Sequence, residues 1–117
     1  MTRVQWASQL FGAVDQYNLD AFVSFLTEDV YFRFGNLEAV QGRTAVHQLL
    51  DQFLATLGGL RHEVDQVVEH EDIVHCHGHV TYTRKDGSTM QAPFATHFRL
   101  REGLIHEYLI FLDASAL

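Results

Sequence analysis

Apolar residues recur every three or four positions at the start of the chain. Val4, Ala7, Leu10, Phe11, Val14 and Tyr17 share one helical face, and Thr2 with Gln5 three residues on forms a capping box, which predicts a helix over 3–17. Asn18 is placed to cap a second, shorter helix carrying Leu19, Phe22, Val23 and Leu26 on one side, and Thr27-Glu28-Asp29 breaks that pattern. Val30 to Phe34, rich in β-branched and aromatic residues, reads as a short strand. After a turn at Gly35-Asn36 the helical spacing returns behind Gly42. Val46, Leu49, Leu50, Phe53, Leu54 and Leu57 trace an apolar stripe that Gly58-Gly59 is expected to end.

The rest of the chain has strand character. Leu60 to Glu69, Ile73 to Arg84, Thr89 to Arg101 and Leu104 to Leu112 are separated by the turn signals Glu71-Asp72, Asp86-Gly87 and Glu102-Gly103. Tight hairpins leave no space for crossover helices, so the predicted class is α+β with an antiparallel sheet, in the order α-α-β-α-β-β-β-β. No repeat or linker divides residues 1–117, which are read as one domain. Pro93, the only proline, falls inside a strand and points to a bulge or an edge there.

Composition narrows the functional classes. The 47% hydrophobic content and 14 aromatic residues provide for one packed core, and Trp6, Phe11, Tyr17, Phe22, Phe25, Phe32 and Phe53 are its expected members. A net charge of −7, with basic residues scattered, disfavours nucleic acid, which demands clustered Lys and Arg. No apolar run approaches the roughly 20 residues that span a bilayer, and no leader pattern is seen, so no membrane association and a cytoplasmic location are expected. A lone cysteine, Cys76, excludes an intrachain disulfide and is read as an inert buried thiol. No glycine-rich phosphate cradle appears, and no cofactor is expected.

Three segments in this order carry a resemblance: Asn18-Leu19-Asp20-Ala21 leading to Leu26-Thr27-Glu28-Asp29-Val30, then Gly42-Arg43-Thr44-Ala45-Val46, then Phe98 to Ile105 around Glu102-Gly103. Over nearly its whole length the chain resembles the SnoaL-like and ketosteroid-isomerase-like branch of the nuclear transport factor 2-like superfamily. That resemblance implies a bent sheet wrapped around the helices as a cone, a pocket at the wide end for a small apolar molecule, and a homodimer formed through the sheet. It does not fix an activity, because one fold serves many chemistries.

Overlaying the motifs on the isomerase pattern puts Leu10, Phe34 and Thr96 where a Tyr, a carboxylate base and a protonated Asp would stand. The isomerase proton-transfer set is therefore missing. The same overlay turns Tyr108, Ile110 and Leu112 inward with Thr96, and Cys76, Gly78, Val80 and Tyr82 onto the same face. The expected pocket wall is Leu10, Phe34, Asn36, Tyr82, Thr96, Tyr108 and Ile110. Asn36 is equally suited to orienting a ligand carbonyl and to serving a plain turn. Asp113, at the strand end, is a more distant participant.

The most unusual local pattern is His75-Cys76-His77-Gly78-His79, which puts three imidazoles in one row. Neighbours in that row are about 6.5 to 7 Å apart, so two could share an ion and the outer pair could not. A two-residue loop at Asp86-Gly87 would pair 77 with 96 and aim the row into the pocket; a three-residue loop with a glycine bulge would pair 77 with 95 and aim it outward. Burial preferences favour the outward register, which sets His75 beside His97 with Glu107 across, and no metal is assigned. His47, His62, His70 and His106 are expected at the surface or behind the pocket wall. Glu63, Asp65 and Glu69 read as a solvated strand face.

Overall fold

A computed structural model describes all 117 residues. Helices α1 (Arg3–Asp15), α2 (Leu19–Val23) and α3 (Arg43–Ala55) pack on one face of a curved six-stranded sheet. The strands are β1 (Leu26–Phe34), β2 (Val40–Gln41), β3 (Leu57–His70), β4 (Ile73–Arg84), β5 (Thr89–Arg101) and β6 (Leu104–Phe111). Their order across the sheet is β2-β1-β6-β5-β4-β3, antiparallel except where β1 runs parallel to β6. The class is α+β, as predicted.

Local chemistry sets the boundaries. Thr2 accepts from the Gln5 amide while the Gln5 side chain accepts from the Thr2 amide, closing the capping box of α1. α1 stops at Asp15 rather than at 17, because Tyr17 takes a left-handed conformation at φ +60 that no helix continues through. Tyr17 is consequently 42% exposed, not core, and its hydroxyl donates to the Leu54 carbonyl. The Asn18 side chain caps α2 by accepting from the Ala21 amide.

Three expectations are corrected. Leu26 begins β1 rather than closing α2, since its burial comes from the sheet, where it pairs with Ile105. The two-residue β2 pairs with Tyr31 and Phe32 and makes the order α-α-β-β-α-β-β-β-β; two residues are too few to show a period. Gly58-Gly59 does not cap α3. The helix ends at Ala55 with Thr56 as its cap, and both glycines lie within β3.

The hairpin that sets the register of the sheet has the three-residue form. Arg84 accepts from the Gly87 amide at 2.9 Å, and its own amide donates to Ser88 at 2.7 Å, with Gly87 at φ +88 where a side chain would be strained. His77 therefore pairs with Ala95, and His75 with His97. Pro93 pairs with His79 on one side and lies beyond the last β5–β6 pair, Ala95–Phe111, so it occupies an edge on the other.

Aromatic rings organise the core. Tyr108 is in contact with Phe98 at 4.6 Å, Phe32 at 5.0 Å and Phe22 at 5.8 Å, joining β6 to β5, β1 and α2, while Trp6 of α1 meets Phe98 edge-on at 5.6 Å. Each fully buried ring of this kind contributes about 1.5–3 kcal/mol through apolar burial. β3 bends across β4 through an irregularity between Val64 and Gln66, opposite Gly78. A Cβ on Gly78 would come within 1.8 Å of the Glu63 carbonyl oxygen and 3.0 Å of the Val64 Cα. Only glycine lets the bulged strand settle there.

Gly78→Ala is expected to lower unfolding stability by about 3 kcal/mol or more, because backbone must move to admit the methyl group. Urea denaturation measures this. A loss under about 1 kcal/mol would mean that the two strands separate at this point without cost.

Candidate functional site: the cone mouth and its inner chamber

The wide end of the cone opens between α3, the turn after β1 and the chain beyond β6. This mouth encloses about 680 Å³ and is lined by Phe34, Gly35, Asn36, Leu37, Phe53, Thr56, Leu112, Asp113, Ala114, Ser115 and Leu117. Its outer wall is the C-terminal tail. Arg84 donates to the Ala116 carbonyl at 2.8 Å, and the Asp113 carboxylate accepts from the Ser115 amide at 3.0 Å; the Ser115 side chain first, and then this amide, hold it more acidic than usual. Asp113 is therefore occupied with the tail turn.

Beneath the mouth is a second, smaller space of about 40 Å³, enough for one or two waters or a small ligand head. Phe34 and Phe53, with ring centroids 5.6 Å apart, border both spaces and form the partition between them. Phe11, Phe32, Leu50, Tyr82, Tyr108, Ile110 and His62 are among the inner walls. Of the seven residues expected at the pocket, Phe34, Tyr82, Tyr108 and Ile110 line the inner chamber, and Asn36 joins Phe34 at the mouth. Leu10 is completely buried in the core. Thr96 is buried beside Cys76, and neither it nor Leu10 is part of either wall.

The two tyrosines of the chamber are held in their uncharged forms. Burial pushes the Tyr82 hydroxyl well above the ordinary tyrosine range, and the Asp15 carboxylate pushes in the same direction. Tyr108 is raised further by burial, reinforced by Cys76 and Tyr82. At neutral pH both are phenols that donate hydrogen bonds.

His62 is a correction to the sequence reading, which put it at the surface or behind the wall. Its side chain is 13% exposed, and the residue borders both the chamber and the separate cleft that Asp15 lines between α1 and β3, with its ring tilted against Phe11 at 4.9 Å and edge-on to Phe94 at 5.3 Å. Nδ1 lies 2.6 Å from Asp15 Oδ1, and the His62 backbone amide donates to Asp15 Oδ2 at 2.9 Å. A carboxylate can only accept, so Nδ1 carries the proton and Nε2 is left without a partner in the chain. Two sequence signals were available for this pair. His62 shares the inward phase of β3 with Leu60 and Val64, and Asp15 lies one turn beyond Phe11, beside the apolar stripe of α1.

The histidine row lies on the opposite, outer face of the sheet, with His75, His77 and His79 exposed. His97 Nε2 donates to Glu107 at 2.7 Å, and in the neutral ring its Nδ1 accepts from His75 Nε2 at 2.9 Å. His77 donates to Gln66 at 3.0 Å, and His79 is 3.3 Å from Asp65. No three His, Cys, Asp or Glu side chains converge as a metal-binding group. Glu63 and Glu69 are paired separately, with Arg61 at 3.5 Å and Arg3 at 2.9 Å, as a solvated face would be.

The bent sheet, helical lid and pocketed mouth define the nuclear transport factor 2-like cone. A SnoaL-like domain model matches residues 7–108, and the chain belongs to that family. Solved structures agree on the fold. TerC co-crystallised with polyporic acid is 18% identical, with a TM-score of 0.85 over 97% of this chain and 92% of that one. A protein of unknown function with the same fold from Burkholderia pseudomallei K96243 is 15% identical, with a TM-score of 0.88 over 99% and 95%. A protein with a ketosteroid isomerase-like fold from Catenulispora acidiphila DSM 44928, in complex with trimethylamine, is 15% identical, with a TM-score of 0.85 over 93% and 85%. No curated protein matches the sequence significantly. No helix is long and apolar enough to cross a membrane.

Cys76 faces the core, and burial pushes its thiol up to about 11. Thr96 beside it opposes the shift, although the Thr96 hydroxyl has no hydrogen-bond partner of good geometry. The thiol is protonated at pH 8, and a thiol-disulfide reagent at that pH is expected to label it only after unfolding. Rapid stoichiometric labelling of the native protein would contradict this burial.

Proposed function

We propose that the protein receives one small, largely apolar molecule in the mouth of the cone, with its more polar end directed toward the inner chamber. The observation that carries this reading is the pairing of two spaces across the Phe34–Phe53 partition. The outer one, about 680 Å³, lies within the roughly 300–1,000 Å³ usual for small-molecule sites, and its wall mixes apolar with a few polar groups. The inner one presents two phenols and an imidazole inside an otherwise apolar lining. A skeleton of polyketide, terpenoid or steroid size fits such a site. TerC, a protein with the same fold, was co-crystallised with the small molecule polyporic acid.

Thermal-shift titration with lipophilic ketones, lactones and epoxides tests this proposal. At least one class is expected to raise the midpoint by several degrees, and Ala114→Trp, which fills the mouth from the tail, is expected to abolish that shift without lowering the unliganded midpoint. If no class stabilises the protein, or if Ala114→Trp responds like the parent, the site lies elsewhere.

A second reading concerns the outer face of the sheet. Val68, Tyr31 and Phe111 are exposed there at 50%, 40% and 59%, with Leu109 and Ala95 between them in the strand register. Such an apolar face supports self-association of two copies through their sheets, with the histidine row at the contact. Sedimentation at micromolar concentration is expected to show a dimer for the parent and a monomer for Phe111→Asp. A monomeric parent would remove this reading.

A further inference from the structure

The histidine pair in the middle of the outer sheet face has the geometry of half a metal site. We infer that His75 and His97 together bind a zinc ion, and that the same two side chains of a second copy complete its coordination, so that the ion joins two chains sheet to sheet. The inference rests on the self-association proposed above and gives that contact a ligand.

Three observations converge on it. The first is spacing. His75 Nε2 and His97 Nδ1 lie 2.9 Å apart across neighbouring strands, with their ring centroids at 5.1 Å. Two nitrogens bound to one tetrahedral zinc stand about 3.4 Å from each other, so a small rotation of the exposed His75 ring brings the pair to ligand geometry. His75 Nδ1, which makes no hydrogen bond within the chain, takes up the proton that Nε2 gives up. The second is the support behind the ligands. His97 Nε2 donates to Glu107 at 2.7 Å, which leaves the Nδ1 lone pair free and puts a carboxylate behind the ring, the arrangement that orients zinc-bound imidazoles and raises their basicity. Arg99 Nε is 3.8 Å from the same Glu107 oxygen, and the His97 side chain is only 18% exposed, so this ligand is held in place before a metal arrives.

The third is position. Val68, His75, His97, Leu109 and Arg33 are successive partners across five strands, which centres the pair on the face. Val68 and Phe111 flank it around an outer depression of about 200 Å³. Two imidazoles are half of the four ligands that a structural zinc takes, and the neighbouring histidines are engaged elsewhere: His77 with Gln66 at 3.0 Å, and His79 with Asp65 at 3.3 Å. One chain therefore leaves the ion incomplete. A two-fold axis through it supplies the second pair from an identical face and brings the apolar flanks of the two faces together. With a net charge of −7 on each chain, a divalent cation at the contact also offsets the repulsion between copies.

The experiment takes the full, untagged chain, stripped of metal with a chelator, and adds zinc ion alone. Titration calorimetry is expected to give one zinc per two chains, and sedimentation equilibrium a dimer dissociation constant lowered about tenfold or more by the metal. His75→Ala, at an exposed position, is expected to abolish the zinc effect while metal-free association changes less than about threefold. His77→Ala is expected to respond as the parent does. Glu107→Gln, which alters a positioning residue, is expected to keep the stoichiometry and lower zinc affinity about 10- to 100-fold. Dimers that bind no zinc, dimers that hold one zinc per chain, or a zinc effect unchanged in His75→Ala overturn the inference and leave self-association standing. Monomers both with and without zinc overturn both. Monomers that zinc alone converts to dimers, at one ion per two chains, uphold the metal bridge and remove association without metal.

Discussion

At Gly78 the backbones of β3 and β4 approach more closely than any side chain allows. A methyl group there would overlap the Glu63 carbonyl, so the absence of a side chain is what admits the irregularity between Val64 and Gln66. The bulge adds bend and twist to the longest strand of the sheet. α1 packs chiefly against β3, and the bend carries Leu60 and His62 over the last turn of that helix.

The rest of the interior follows from how a cone must be filled. Tyr108 and its aromatic neighbours occupy the narrow part, where rings from four elements meet at 4.6 to 5.8 Å. Toward the wide end the strands stay paired as far as Phe34 and Ile110, but side chains no longer close the gap between sheet and α3. Phe34 and Phe53 bridge it once, and the tail tied down by Arg84 bridges it a second time. Polar side chains line both spaces where apolar filling runs out: Asn36, Thr56, Asp113 and Ser115 at the mouth, and His62, Tyr82 and Tyr108 in the chamber.

The sequence revealed the architecture more readily than the site. Periodicity located all three helices and five of the six strands, because each buries a continuous face; β2 was too short to have one. The register of the β4–β5 hairpin was legible from burial alone, since the alternative would have put three imidazoles inside and Cys76, Val80 and Tyr82 outside. Gly58-Gly59 misled because glycine after an apolar stripe signals a helix stop, whereas Leu57 and Leu60 here already belong to a strand. The His62–Asp15 pair was hidden for a different reason. It spans 47 residues, and only the packing of α1 on β3 brings its members together. A histidine on the inward phase of a strand was the available sign, and it was outweighed by the more conspicuous row at His75, His77 and His79.

The cone therefore contains two adjoining spaces, a mixed-polarity mouth and a small, mostly apolar chamber, which on the proposed reading receive the body of a molecule and its head. A crystal structure of the protein with bound 1-tetralone would test that division most directly. The expected result places the hydrocarbon rings against Phe34, Phe53 and Leu112, and the carbonyl oxygen within about 3 Å of a Tyr82 or Tyr108 hydroxyl. Density for the ketone on the outer face of the sheet, with the Phe34–Phe53 partition closed over an empty chamber, would contradict it.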